Sequence, residues 1–448
     1  MFFSSPFCQF ALFYLVYYTP VQAFTVFSPE CSQPTTTYNF VSGPDTRGTL
    51  EILWSSLFTI FACTWAIQHP NIPEQRDGRY PGWTDDIRWG LKGLWENIKL
   101  AFYTVVAPEV IITVATNDLL MAREDCHVIN ADFEHDNVPW GLSHSFYANM
   151  GGFVIRVTKG SSDTLFHHNP YHLVTADLLS LRRNGYLKRL PYMAEEQLLD
   201  RSKADPVIKA IAIAQILWSV FQIIVRAFRH LTISLLELAT VAFAVCAIII
   251  YILCWKKPKF VQTTITVLEY TDEIPLEVLR LLDADRGTSI VKQFLIPSRF
   301  RSSSRRRAES IPGSPVGNQT SQWAQSMRVR SIVTSAVGLG AAAVFGAVHV
   351  AGWNFAFPTT VEKVAWQCAS LYTTGFVLVA ASGFALATFA GRVLGKEGKS
   401  VVRLGMSLVM WVYLFARLFI LVEIFRTLFF LAPDAHVSTW ASDIPHFS

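Results

Sequence analysis

Residues Leu100–Thr116 read LAFYTVVAPEVIITVAT. The run is just long enough to cross a hydrocarbon layer, which takes a helix of roughly 17–25 residues. At its centre stand Pro108 and Glu109. A carboxylate at mid-bilayer costs about 2.5–3.5 kcal/mol on insertion scales. The proline removes a backbone donor beside it and breaks the helical ladder. Such a stretch suits a broken element, re-entrant or interfacial, better than a span. Whether it crosses decides the sidedness of every segment after it.

Around it lie six further apolar runs: Ile52–Ile67, Val207–Val225, Ile233–Trp255, Ile332–Ala351, Trp366–Ala390 and Leu404–Leu421. The 448-residue chain is 51% hydrophobic and 16% charged. That charged share is well below the ~25% of soluble domains and favours a membrane class. Lys and Arg separate sharply between the runs. Residues 69–99 hold five, 118–206 nine, 256–330 thirteen and 392–403 four. In contrast, 24–50 hold only Arg47, 227–232 only Arg229, 353–365 only Lys363, and 427–448 none. Cytoplasmic segments carry the Lys/Arg excess. If all seven runs crossed from an outside amino terminus, the most basic segment would face outward. If the Pro108–Glu109 run does not cross, every basic loop falls inside and every charge-poor loop outside. The expected fold is therefore all-α: a polytopic transmembrane helix bundle of about six spans plus one re-entrant or interfacial Pro-Glu element, not a seven-helix receptor.

The organisation follows. Residues 1–23 read as a signal peptide, with an apolar Phe10–Tyr18 core and Val21-Gln22-Ala23 suited to signal peptidase. Residues 24–49 form a short lumenal segment, and 50–117 hold the first span and the re-entrant element. Residues 118–206 are expected to be a cytoplasmic helical block, with helices over Leu173–Asn184 and Ala194–Asp205. A helical hairpin over 207–255 leads to a cytoplasmic loop, 256–330, with a disordered basic, Ser-rich stretch. A three-span bundle, 331–426, and an outer tail, 427–448, complete the chain. The expected setting is integral to a membrane of the secretory pathway or the plasma membrane. The partners are the lipid bilayer and, through Arg305–Arg307, anionic headgroups, with no nucleic acid. Phosphate on Ser310 or Ser314 would weaken that attraction. The seven scattered cysteines form no CxxC pair, so neither a disulfide framework nor a zinc knuckle is indicated.

No nucleophile elbow, HExxH, P-loop or dinucleotide fingerprint occurs, so the chain names no reaction and no cofactor. Six of eleven histidines fall between 127 and 172. Imidazoles interspersed with carboxylates can hold zinc or iron, which makes His127, His135, His144, His168 and His172 a possible metal set. Pro170 between the last two argues against one helical face. Ionisable residues in or beside the spans carry a sharper signal, because such groups usually face a bundle interior or a wet cavity. Arg226, Glu237, His349, Glu423 and Arg426 sit at outer span ends and form the candidate binding set. Arg417 lies deeper, near mid-span. Glu423 and Arg426, three apart, can pair on one helix. These features give a transporter- or channel-like reading, with a scaffold or sensor acting through the basic loop as the alternative and a membrane metalloenzyme as a third.

Several stretches carry a resemblance: Ile52–Trp65 with His69–Pro73, Ala107-Pro108-Glu109, Met150-Gly151-Gly152-Phe153, Asp200–Asp205, Trp255–Pro258 and Trp353–Pro358. Through them, and over most of the chain from about residue 48, the sequence resembles a family of multi-spanning membrane proteins common in filamentous fungi and mushrooms. That family has no assigned activity. The resemblance implies a membrane class and a fungal source but no catalytic residues, and it implies that the Pro-Glu element and the Trp-Asn-Phe loop are shared features.

Overall fold

In the computed structural model the described residues are 40–41, 47–73, 75, 82–158, 170–202, 206–271, 273–283, 319–393 and 395–439. The signal reading of 1–23, the serine-arginine stretch with Ser310 and Ser314, and His168 lie outside them. Helices dominate: α1 (Thr49–Ala66), α2 (Trp83–Val106), α3 (Pro108–Asp132), α4 (Leu142–Asn149), α5 (Thr175–Arg183), α6 (Glu195–Arg201), α7 (Pro206–Phe228), α8 (Leu235–Leu253), α9 (Leu276–Asp283), α10 (Gln319–Val350), α11 (Thr360–Val393) and α12 (Gly395–Arg426). Six of them, α1, α7, α8, α10, α11 and α12, contain a segment long and apolar enough to cross a membrane. The fold is thus a mostly helical, membrane-type bundle.

The Leu100–Thr116 run is not one helix. It breaks at Ala107, and α2 and α3 meet at 112°. Two contacts show which end of the bundle it returns to. Lys257, just past the end of α8, pairs with Asp118 of α3 at 2.7 Å. Arg330, near the start of the α10 span, pairs with Glu124 at 2.9 Å. From Glu109 to Asp118 the helix rises only about 13 Å, less than half of the ~30 Å that a span must cover.

The segment after α1 lies at the same end. The Ile72 amide donates to the Met150 carbonyl at 3.1 Å, and Gln75 Nε2 donates to the Gln262 carbonyl at 3.0 Å. Lys259 Nζ reaches the Ala66 carbonyl. Residues on both sides of the Pro-Glu element therefore share one end of the bundle, which an ordinary crossing between them would forbid. At the other end, the Arg47 amide, just before α1, donates to the His436 carbonyl, and the His436 Nδ1 contacts the Arg47 carbonyl, His436 following α12.

At the first end the chain builds a small mixed domain. Residues 118–206 are not wholly helical as expected: β1 (Phe153–Val157) pairs antiparallel with β2 (Tyr171–Leu173) and parallel with β3 (Ile265–Tyr270). Leu173, expected in a helix, lies in β2, and the two anticipated helices are the shorter α5 and α6. The loop 256–330 contributes β3 and α9 to this domain, and α10 already begins at Gln319. The strand signal was missed because Phe153-Val154-Ile155 is a short run buried on both faces, without period-2 alternation. The core joins Phe153, Ile155, Leu173, Leu178, Leu181, Leu198 and Val278. Asp136 ties it together. It accepts from Arg182 Nε at 3.0 Å and Nη2 at 2.6 Å, and from the Leu190 amide at 2.9 Å.

In the bundle, small residues set the helix spacing. A Cβ at Gly346 of α10 would lie 2.5 Å from the Thr374 backbone nitrogen of α11. One at Gly338 would meet Thr113 of α3 at 2.1 Å. Close approach of this kind drives helix association where lipid offers no hydrophobic gain. Between α1 and α7, Thr59 Oγ1 and Ser219 Oγ share a 2.7 Å hydrogen bond.

Two outcomes are expected. Gly346→Val should cost roughly 1–3 kcal/mol by overpacking, read as a lower unfolding temperature in detergent, whereas a valine at Gly340, which has open space around it, should cost much less. Hydrogen bonding from Arg182 holds the Asp136 carboxyl below the usual carboxylate range. Its contribution is then complete above the unfolded value of about 3.9 and is lost as pH falls through the lower folded value. Amide exchange at Leu190, corrected for its intrinsic rate, should lose protection in that acid window, and Asp136→Asn should flatten that part of the profile.

Candidate functional site

The site grows from the break between α2 and α3. A residue before proline is pushed out of the helical region, and Ala107 is extended at φ −148°, ψ 71°. Pro108 then opens α3 at its first position, where its missing N–H is no loss. Glu109 follows in the first helical turn, where the exposed N–H groups favour an acid. Its carboxylate is buried and accepts from Tyr413 Oη at 2.7 Å and from Arg417 Nη2 at 3.3 Å, both on α12. Proline and acid, costly in an uninterrupted span, are thus placed where each is tolerated.

Arg417 is held from a second side. Its guanidinium carbon lies 3.8 Å from the centroid of the Phe345 ring on α10, a cation–π contact in a desolvated place. His349, one turn further along α10, stacks on Phe345 at 4.6 Å and shares its Nδ1 with the Phe345 carbonyl at 2.7 Å. The indole N–H of Trp366 on α11 donates to the His349 carbonyl at 3.2 Å.

Phe345, His349 and Arg417 line a cleft between the helix break, α8, α10 and α12. Val105 and Val106 line it from the break and Phe243 from α8. His349 and Arg417 are its two polar lining residues. Both are buried, and both keep one polar atom without a hydrogen-bond partner, Nε2 of His349 and Nε of Arg417. The site can bind a polar group in an apolar setting or hold charge. Its geometry contains no nucleophile–base pair.

Of the expected binding set, only His349 belongs to this cleft. Arg226 and Glu237 are close to one another, at the end of the bundle away from the mixed domain, but form a closed knot. Glu237 accepts from the Ser234 amide at 2.9 Å, from Ser234 Oγ at 2.8 Å and from Arg47. Arg226 donates to the carbonyls of Thr232, Asp434, Ala435 and Val437. Asp434 in turn accepts from the Thr232 amide at 3.0 Å and hydroxyl at 2.6 Å. This knot ties Arg47, just before α1, and residues 434–437, after α12, to the α7–α8 turn.

Arg426 pairs across helices with Glu362 of α11, not with Glu423 on its own helix as expected. The reason is geometric: α11 and α12 run antiparallel in close contact, bringing the start of one beside the end of the other. The proposed metal set stays dispersed. His127 and His135 are exposed, His144 is bound through the Gly141 amide and the Met193 carbonyl, and His172 contacts the Gly151 carbonyl. Among the described residues no group of three metal-ligating side chains forms.

Two things were legible and overlooked. Ser234-Leu235-Leu236-Glu237 spells a capping box, and the structure shows one, which accounts for the buried glutamate without a substrate. Pro108-Glu109 spells a helix start equally well. By contrast, nothing in the spacing links Glu109 to Arg417, 308 positions away.

Removing Arg417 alone should be expensive, because Glu109 would stay buried without its cation. Arg417→Met is expected to destabilise by roughly 3–5 kcal/mol, while Glu109→Leu combined with Arg417→Met should recover much of that loss. Denaturation of the three variants in one detergent measures the difference. No curated protein and no solved structure matches the chain. A family model does match, over residues 20–311, and the chain accordingly belongs to the family of unknown function DUF8562.

Proposed function

We propose that the protein is a transporter- or channel-like membrane protein whose working element is the broken helix α2/α3. One observation carries the reading. A charged pair, Glu109 with Arg417, sits at a helix break inside a bundle of membrane-type helices. Discontinuous helices that meet near the midplane are where transport proteins commonly place substrate and ion sites, and buried ionisable residues usually belong to such pathways. The candidate site thereby moves from the outer rim to the centre, keeping His349 and adding Glu109, Tyr413 and Arg417. The basic segments at one end of the bundle support a cytoplasmic face there. A fungal membrane of the secretory pathway or the cell surface suits the same reading.

The alternative is a sensor or scaffold without transport. It is favoured by the contact of the mixed domain with α3, where Asn149 Nδ2 donates to Asp125 at 2.6 Å. A partner or anionic lipid bound at that end would act on the same helix that carries Glu109.

Reconstituted vesicles decide between them. Protein-containing vesicles under an imposed proton or sodium gradient should accumulate a member of a panel of labelled sugars, amino acids or carboxylates, or carry current. Glu109→Gln should cut that signal at least tenfold. No flux or current above protein-free vesicles, across the whole panel, would remove the transport reading and leave the sensor.

A further inference from the structure

Helix α2 exposes one apolar face along most of its length. Ile87, Leu91, Leu94, Ile98 and Phe102 are all exposed, as are Trp83 and Trp95. At 3.6 residues per turn the seven fall within an arc of about 120°, with the two indoles at its opposite edges. Charge keeps off that arc. Arg88, Lys99 and Lys92 follow beyond the Trp95 edge, and Lys92 turns away onto Trp89, its Nζ 5.0 Å from the ring centroid. Asp85 and Asp86 lie further round. A third side serves the protein: Leu100 and Thr104 are buried and line a cleft with Ile250 of α8. Between Trp83 and Lys99, by contrast, no described side chain is buried.

The placement of α2 says what meets this face. Helix α3 runs antiparallel along α10, with Glu124 against Arg330 and Thr113 against Gly338, so it follows the direction of a membrane-type helix. The 112° bend at Ala107 lays α2 across that direction. The last residues of α2, Val105 and Val106, line the cleft with Phe345 and Arg417 inside the bundle. Its first residues follow the segment that Gln75 ties to Gln262 at the mixed-domain end. A crosswise helix that starts at one end of the bundle and enters it lies where headgroups give way to acyl chains. Tryptophan concentrates at that level, because its ring is apolar and its N–H polar, and the arc has one at each edge. The basic side chains beyond the Trp95 edge can lay their stems on the apolar layer and keep their charges among the headgroups. The charges of α2 cancel, Arg88, Lys92 and Lys99 against Asp85, Asp86 and Glu96. Apolar burial, not attraction to anionic lipid, must then supply the binding.

We propose that α2 lies in the plane of the leaflet at the mixed-domain end, its Trp83–Phe102 face sunk between headgroups and acyl chains and held there by apolar burial. The occupant of the face is the lipid surface, not a second copy of the chain or a soluble protein. This assignment does not depend on transport.

The test uses full-length protein reconstituted in phosphatidylcholine vesicles, with and without phosphatidylserine. A nitroxide carried on p-acetylphenylalanine is placed in turn at Ile87, Leu91, Leu94, Ile98, Asp86 and Lys92, all of them exposed, so no core contact is lost. Collision with oxygen, which partitions into acyl chains, is compared with collision with a water-soluble nickel chelate. At the four apolar positions oxygen should dominate several-fold, at a shallow depth of about 5–10 Å into the headgroup–acyl boundary. At Asp86 and Lys92 the chelate should dominate. Both lipid mixtures should give the same alternation. A label that blocks folding at one position leaves the alternation readable at the others. Dominance of the chelate at all six positions would put the face in water and overturn the proposal. Exclusion of both reagents from the apolar positions, with spin–spin broadening between labels, would overturn it in favour of a second copy. Immersion in the anionic mixture alone would overturn the assignment to apolar burial.

Discussion

The contact between Glu109 and Arg417 is the constraint to which the bundle is built. Two charges far from water are stable only with close partners and additional hydrogen bonds. Here the carboxylate receives Tyr413 Oη and Arg417, while the guanidinium also lies on Phe345. Meeting those demands brings α3 to α12 and both to α10. It also explains why α3 starts where it does. Only at a helix start can a proline and an acid be neighbours without breaking hydrogen bonds, so the break, the pair and the cleft share one cause.

From that tip, α3 carries the consequence to the far end of the molecule. Asp118 meets Lys257, Glu124 meets Arg330, and Asp125 meets Asn149. The same helix therefore touches the bundle interior at its beginning and the mixed domain further on. Burial works against the Lys257 ammonium, yet the Asp118 carboxylate at 2.7 Å lifts its pKa above the ordinary value. The pair anchors α3 to the end of α8. At the opposite end, the Arg47–Glu237 and Arg226–Asp434 contacts close the bundle with a separate network. The two ends are thus held by different networks, and α3 links one of them to the Glu109–Arg417 pair.

How far the site could be read from residues alone depends on the range of each interaction. His349 was found because a histidine in an apolar run is costly wherever it lies. Glu237 was found for the same reason and assigned wrongly, since its partner Ser234 is only three positions away and makes it a capping residue. Arg426 was given the nearest acid on its own helix, although its partner is Glu362 on α11. Local patterns report that a group must be satisfied, and when the partner is close in sequence they can report by what. When it comes from another helix they cannot, because relative helix rotation is set by packing at residues such as Gly346 and Thr374.

By itself the sequence determined the membrane-type composition, the six long apolar helices and the break in the Leu100–Thr116 run at Pro108. These follow from transfer free energies and charge counts, which are nearly additive along a chain. Only the tertiary structure decided that 153–157, 171–173 and 265–270 form one sheet, that Arg226 and Glu237 share one hydrogen-bonded knot, and that Tyr413, Glu109, Arg417, Phe345 and His349 form one series of contacts. Those outcomes depend on which faces of distant helices are turned toward each other. Many side chains settle that orientation together, and no single stretch of sequence encodes it.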